Sequence, residues 1–397
     1  MDIHLIFLSL ALIIFFGRVL GDLFNKFGIP SVIGEIFAGV ILGVSGLGLI
    51  QPNDAIKVLA EIGIILLLFK IGLEADIHQL KKVGVSAFIV ATVGAFLPMV
   101  FGAYVSYYFF NLSFATSLFI GGTLTATSIG ITVKVLSDLG KMNQRFAQIV
   151  LGAAVLDDIF GVVILAVLYE FSKTGTVDIN SVLKMLVYIG TFFLLAPILA
   201  KILAKLINIF SEKLQSEEFI PVAIMSMVFF FAYLSHKLGS PEILGAFING
   251  LALSRRFVIP FATFLRIEEK EKMTSKIEHS IEPLIFVLTP IFFVYVGLSL
   301  NLKMIDFSSL AFWKLALSLL FIAILGKVLA GFLIKASLKE KLLIGFSMLP
   351  RGEVGLIFAE IGKNAKLFND LIYAVIIFVV AFTTFIAPLV LKMLVKE

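Results

Sequence analysis

Two adjacent carboxylates stand near the middle of an apolar stretch of the chain. The stretch runs from Leu151 to Leu168 and carries Asp157 and Asp158 between runs of apolar residues. It is apolar enough to belong to a helix that spans a lipid bilayer. A charged side chain at the bilayer centre costs roughly 3 kcal/mol, so two acids there indicate a task, such as passing protons or holding a cation. The alternative is a pair of acids held in structural salt bridges.

The spacing of these two acids predicts that they have different partners. Neighbouring helical residues project about 100° apart, so Asp157 and Asp158 cannot face one group equally. Lys327 lies deep inside another apolar stretch, where an ammonium group needs an anionic partner. We expect an Asp157–Lys327 pair, which leaves Asp158 to bind either a proton or a cation. The alternative for Lys327 is a side chain that extends to the membrane surface.

Two further apolar segments are interrupted by glycine, proline, hydroxyl or charged residues. One contains Thr127 and Ser128, and the other contains Arg351 and Glu353. Paired interrupted helices are typical of transporter sites near the bilayer midplane, and their hydroxyl and carbonyl oxygens suit a small alkali cation. We expect Arg351 and Glu353 to neutralise the interrupted helices. Tight packing of small residues is the alternative, although it does not explain the two charges.

The composition predicts an all-α polytopic membrane protein. Of the 397 residues, 60% are hydrophobic and only 15% are charged, and the mean hydropathy is +1.09. A soluble protein has about 25% charged residues. The first apolar segment, 3–24, lacks a basic flank and a cleavage site, so we expect it to be retained as a helix. We expect residues 1–397 to form one transmembrane domain without a soluble regulatory domain.

Enzyme chemistry and bound cofactors find no support in the sequence. The chain has no cysteine, and its four histidines are scattered without metal-ligand spacing. No nucleophile–base pair or phosphate-binding loop is present. The net charge of +5 is explained by cytoplasmic loops rather than by nucleic acid. The expected partners are therefore membrane lipid, monovalent cations and protons.

The chain contains two internal repeats. The glycines and the proline of residues 28–42 recur with identical spacing in residues 239–253, and Leu124 and Gly130 correspond to Leu349 and Gly355. We expect one repeat at about 28–171 and the other at about 239–394. They begin seven predicted spans apart, and because seven is odd, the two copies run in opposite directions through the membrane. Inverted repeats are the architecture of alternating-access transporters.

Hydropathy predicts about thirteen transmembrane spans. Their expected bounds are 3–24, 31–46, 54–74, 79–109, 113–137, 143–171, 180–209, 218–237, 241–256, 277–299, 307–336, 339–362 and 369–394. With the N-terminus outside, eighteen lysines and arginines fall on the cytoplasmic side and eight fall outside. Positive residues are enriched in cytoplasmic loops, so we expect an external N-terminus and a cytoplasmic C-terminus in the cell membrane.

Together these motifs resemble the monovalent cation:proton antiporter-2 family, within the cation/proton antiporter superfamily. The matching pieces are Gly28-x-Pro30 with Gly34-Glu35, Leu66-Leu-Leu-Phe-x-x-Gly72-Leu-Glu74, Thr125-Ala-Thr-Ser128, Leu156-Asp157-Asp158, Lys327 and Pro350-Arg-Gly-Glu353. The resemblance implies thirteen helices, a dimerisation domain that forms a homodimer, and a mobile core with two crossed, interrupted helices. It also implies sodium/proton exchange by an elevator movement of the core.

The resemblance also implies a role for each site residue. Asp158 matches the carboxylate that carries the ion and the proton, and Asp157 with Lys327 matches a salt-bridged pair. Thr127 and Ser128 match the interrupted helix beside the ion. The Asp-Asp pair with this lysine implies electrogenic exchange. A potassium/proton antiporter of the same architecture is the first alternative, and a sodium-coupled symporter of an organic anion is the second.

Overall fold

A computed structural model describes the backbone of residues 3–27, 29–75, 77–174, 178–214, 219–254 and 270–396. Fifteen α-helices and a short 3₁₀ turn, without a strand, make up the regular structure of these residues. The helices are α1 (Ile3–Lys26), α2 (Ser31–Leu42), α3 (Asp54–Glu74), α4 (Ile77–Tyr108), α5 (Phe114–Thr123), α6 (Ile129–Asp138), α7 (Arg145–Thr174), α8 (Ile179–Leu214), α9 (Phe219–Lys237), α10 (Glu242–Leu253), α11 (Lys270–Leu298), α12 (Leu310–Phe332), α13 (Leu338–Ser347), α14 (Glu353–Asn364) and α15 (Asp370–Lys396).

The prediction of an all-α polytopic membrane protein is confirmed. Eight of the described helices are long and apolar enough to cross a membrane, and three shorter helices are also apolar. Large apolar side chains are exposed along these helices, for example Phe7 and Phe15 on α1 and Leu194 on α8. Such surfaces are stable when they face lipid. The number of thirteen spans stays a prediction.

The chain divides into two compact units. Unit 1 comprises Met1–Ile56, Val83–Val177 and Phe293–Glu397, and unit 2 comprises Lys57–Lys82 and Asp178–Phe292. Every residue that the sequence predicts for the site belongs to unit 1.

Two of the predicted spans in unit 1 are each built from two half-helices. α5 ends at Thr123 and α6 begins at Ile129, while α13 ends at Ser347 and α14 begins at Glu353. Each break is therefore a five-residue linker, 124–128 in the first pair and 348–352 in the second. Pro350 explains part of the second break, because proline lacks an N–H and disfavours a helical conformation in the preceding residue.

In unit 1, α2 and the end of α11 touch backbone to backbone at a pair of glycines. A Cβ atom on Gly39 would lie 2.0 Å from the Val294 carbonyl oxygen, and one on Gly297 would lie 2.0 Å from the Ile36 carbonyl oxygen. No side chain fits at either position, so glycine is required for this helix contact.

In unit 2, α3 and α10 make the same kind of contact. A Cβ atom on Gly72 would lie 2.3 Å from the Phe247 carbonyl oxygen, and one on Gly250 would lie 2.1 Å from the Phe69 carbonyl oxygen. Gly250 is the repeat counterpart of Gly39, and Gly72 is the counterpart of Gly297. The same helix contact thus occurs once in each unit, as two copies of one repeat would produce.

Candidate functional site

The structure gathers the predicted site residues around the two helix breaks of unit 1. Six of their side chains are buried, with between 0% and 2% of their surface exposed: Asp157, Asp158, Thr127, Ser128, Lys327 and Arg351. The side chain of Glu353 lies outside the part of the chain that the structure describes, although its backbone begins α14. Sequence positions from four separate helical spans therefore meet in one place.

The two linkers contact each other directly. The Ser128 amide donates a hydrogen bond of 2.7 Å to the Pro350 carbonyl oxygen, and the Thr127 hydroxyl donates one of 2.9 Å to the Met348 carbonyl oxygen. These bonds satisfy backbone groups that the helix breaks leave without a partner, which is necessary inside a membrane. We call this contact between the linkers 124–128 and 348–352 the crossing of the two interrupted helices.

A buried ion pair stands beside the crossing. The Lys327 ammonium lies 3.3 Å from both carboxylate oxygens of Asp157, and it donates a hydrogen bond of 2.6 Å to the Thr125 carbonyl oxygen. The Thr127 amide donates a 2.8 Å hydrogen bond to Asp157. Asp157 thus accepts from an ammonium group and from a backbone N–H just before α6, where the helix dipole also favours negative charge.

Arg351 binds the other end of the first break, next to the C-terminus of α5. Its Nη1 atom donates hydrogen bonds of 3.1 Å to the carbonyl oxygens of Thr123 and Ala126. Thr123 is the last residue of α5 and Ala126 lies in the linker after it, where the helix dipole favours positive charge. The Thr384 hydroxyl on α15 donates in turn to the Arg351 carbonyl oxygen. Arg351 therefore binds the backbone at the α5 end of the first break.

Sequence reasoning missed two threonines that support the crossing. Thr384 holds the backbone of the second linker, and the Thr132 hydroxyl on α6 donates a 2.7 Å hydrogen bond to the Ser347 carbonyl oxygen at the end of α13. Thr132 lies in the hydroxyl-rich segment that the sequence singled out, so its spacing was an available signal. Nothing in the sequence distinguishes Thr384 from other threonines of a long apolar helix.

Asp158 is next to the ion pair and is buried, with 2% of its surface exposed. Its negative charge acts on the Lys327 ammonium together with that of Asp157. On the first linker, the Ser128 hydroxyl oxygen is buried and has no hydrogen-bond partner among the described residues. A carboxylate with hydroxyl and carbonyl oxygens is the ligand type that hard cations prefer.

Comparison with known protein families shows which family the chain belongs to. The sequence model of the family described as "Sodium/hydrogen exchanger, transmembrane" matches residues 11–397. The chain belongs to this family. The resemblance inferred from the motifs is thereby confirmed at the level of sodium/proton antiporters of the cation/proton antiporter superfamily.

Individual members of the family are similar to this chain in sequence over nearly its whole length. It is 32% identical to the high-affinity Na⁺/H⁺ antiporter NhaS3 of Synechocystis sp., over 96% of this chain and 88% of the relative. It is 34% identical to the Na⁺/H⁺-K⁺ antiporter GerN of Bacillus cereus, over 97% and 95%. The solved structure of the sodium proton antiporter MjNhaP1 from Methanocaldococcus jannaschii has the same fold, with a TM-score of 0.74 at 20% identity over 100% and 98% of the two chains.

Proposed function

We propose that this chain is a secondary sodium/proton antiporter in which sodium and protons compete for Asp158. The observation that carries the proposal is the arrangement at the helix crossing. Lys327 pairs with Asp157 at 3.3 Å, and we assign the exchange of cations to the second buried carboxylate beside this pair, Asp158. Membership of the sodium/hydrogen exchanger family and the names of the relatives support the same conclusion.

The balance of buried charge explains why the exchange is electrogenic in this proposal. Asp157 and Asp158 are opposed by Lys327 and Arg351, all buried in unit 1. A sodium ion bound at Asp158 repels the nearby Lys327 ammonium, and a buried lysine relieves such repulsion by releasing its proton. Arginine cannot do so. More than one proton then leaves for each sodium ion that binds.

Electrogenic exchange can be tested through Lys327. In proteoliposomes, an imposed membrane potential should accelerate or slow exchange by the wild-type protein, because net charge crosses the membrane in each cycle. The Lys327→Gln variant cannot release this proton, so any exchange that it retains should not respond to the potential. If the exchange rate of the wild type does not change with the membrane potential, transport is not electrogenic.

Alternating access is proposed to occur by an elevator movement of the core that carries the crossed helices. The inverted repeats at about 28–171 and 239–394 support it, since the glycine contact of α2 with α11 recurs between α3 and α10. The protein is proposed to work as a homodimer in the cell membrane. The distribution of lysine and arginine supports an external N-terminus and a cytoplasmic C-terminus.

Potassium/proton exchange is the second candidate. One relative carries both sodium and potassium in its name, the Na⁺/H⁺-K⁺ antiporter of Bacillus cereus. Carboxylate and hydroxyl oxygens coordinate either alkali cation, and the spacing of the ligands decides between them. Competition between sodium, lithium and potassium in one transport assay separates the two candidates.

The function can be tested in proteoliposomes that contain a pH-sensitive dye. Addition of sodium should collapse an imposed proton gradient with the wild-type protein, and the Asp158→Asn variant should not respond. The Glu360→Gln variant, which changes an exposed carboxyl on α14, is the control and should behave as the wild type. No response with the wild type, or full activity of Asp158→Asn, would reject the proposal.

A further inference from the structure

A third buried carboxyl group lies away from the crossing, on α2. The side chain of Glu35 is only 2% exposed, and its Oε2 atom is buried without a hydrogen-bond partner among the described residues. The exchange described above makes no use of it. A buried acid in a membrane protein is costly and is therefore a candidate functional group.

The backbone of α1 seals Glu35 from one side. A Cβ atom on Gly34 would lie 2.3 Å from the Leu20 carbonyl oxygen, so the backbones of α1 and α2 are in contact there. At Gly21 a Cβ atom would lie 3.2 Å from the Glu35 Cγ. On this side, therefore, α1 covers the carboxyl group of Glu35.

The charged groups around Glu35 are already arranged in pairs. On α1, Arg18 lies 2.9 Å from Asp22, and on α6, Lys134 lies 2.7 Å from Asp138. These four are the charged groups of the neighbouring helices that act on Glu35. Each of the two cations is therefore already paired with a carboxylate other than Glu35.

α6 connects Glu35 to the ion site. The Ser31 hydroxyl on α2 donates a 2.7 Å hydrogen bond to Asp138 at the last turn of α6. The first residue of α6 directly follows Ser128, one of the linker residues at the crossing. A helix of ten residues is about 15 Å long, so α6 spans the distance between the crossing and the contact with α2.

We propose that Glu35 is a second proton-binding site, separate from the aspartate pair, and that its protonation keeps α6 packed against α2. A neutral carboxyl group fits the enclosed position, whereas a carboxylate with an oxygen that lacks a donor is costly there. Ionisation therefore favours a state in which α6 separates from α2 and water reaches Glu35. Rising pH favours the separated state, and falling pH favours the packed state.

The proposal rests on the proposed function only in that α6 must move for transport. The first test is the pH dependence of sodium-driven exchange in proteoliposomes. In the wild type, the rate should rise as the pH rises. Glu35→Gln stays neutral at every pH, so this rise should shrink at least about fivefold, as expected for a typical coupling between two sites. Glu360→Gln should keep the wild-type rise.

A second variant acts in the opposite direction. Ser31→Ala removes the hydrogen bond to Asp138 and so weakens the packed state, and the rise in rate should move to lower pH. This variant keeps Glu35, so it tests the proposal even where Glu35→Gln fails to fold. A Glu35→Gln profile equal to that of the wild type, or a shift of Ser31→Ala to higher pH, would overturn the proposal.

Infrared spectroscopy supplies a readout that does not depend on transport. The purified protein without sodium should show a carbonyl stretching band of buried neutral carboxyl groups at low pH, to which both Asp158 and Glu35 contribute. The Asp158→Asn variant should keep the part that belongs to Glu35, and the double variant Asp158→Asn/Glu35→Gln should lose it. A band of equal intensity in these two variants would refute protonation of Glu35. Failure of the proposed antiport would instead appear as a lack of sodium-driven exchange in the wild type at every pH.

Discussion

The Lys327 ammonium lies 3.3 Å from both carboxylate oxygens of Asp157, and neither side chain has any surface exposed. In this setting the two charges depend on each other. Replacing one of them leaves the other buried and unpaired, which lowers the free energy of unfolding by about 3–5 kcal/mol. Removing both charges together avoids this cost. The pair can therefore be examined through stability, independently of transport.

Lys327→Met should lower the free energy of unfolding by about 3–5 kcal/mol, because it leaves the Asp157 carboxylate buried without an opposite charge. The double variant Asp157→Asn/Lys327→Met should recover most of this loss, although it should not restore transport. Thermal unfolding in detergent measures both effects. The loss of stability in the double variant is compared with the losses in Lys327→Met and in Asp157→Asn alone. If it equals their sum, the two side chains do not interact.

Gly352→Ala should disturb the crossing of the interrupted helices. A Cβ atom at this position would lie 2.6 Å from the Ser128 hydroxyl oxygen and 2.9 Å from its Cβ, so the two linkers would be forced apart. Overpacking of this kind costs about 1–3 kcal/mol, and sodium-driven exchange should fall with it.

The matched control for this prediction is Gly355→Ala, three residues further along in the first turn of α14. There the nearest atom to an added Cβ, on Val380, is 3.5 Å away, which is an ordinary contact. Stability and exchange should stay close to the wild type. Adding Ser128→Gly to Gly352→Ala should restore stability by removing the clashing side chain. Equal losses in the Gly352 and Gly355 variants would speak against a tight crossing.

The contact between α2 and α11 should be equally intolerant of side chains. Gly39→Ala places a Cβ 2.0 Å from the Val294 carbonyl oxygen, so we expect a lower melting temperature. Gly84→Ala on α4 meets nothing within 4 Å and should be neutral or raise stability by up to about 1 kcal/mol, since alanine is the better helix former. A tolerated Gly39→Ala would mean that these helices are not held backbone to backbone.

Much of the site could be predicted because lipid restricts where charges can lie. Lys327 and Asp157 are far apart in sequence, but each needs an opposite charge inside an apolar span, and few candidates exist. The helix breaks could be located because glycine, proline and hydroxyl residues interrupt apolar runs at repeat-related positions. Span bounds followed from hydropathy, and the predicted 54–74 coincides with α3.

Other features could not be predicted, because they depend on packing. The hydroxyl of Thr384 reaches the Arg351 carbonyl oxygen, yet a threonine in a long helix more often bonds within its own helix. Glu35 appeared only as part of a motif near the start of a span. Its enclosure depends on the close approach of α1 at Gly21 and Gly34, which no periodicity reveals.

Competition between sodium and protons for Asp158 is tested most directly by calorimetry. Sodium binding to the purified protein is titrated in two buffers of different ionisation enthalpy at the same pH, and the difference in heat gives the number of protons released. The account predicts that the wild type releases protons when it binds sodium and that Asp158→Asn binds no sodium. Sodium binding without proton release, or unchanged binding by Asp158→Asn, would contradict it.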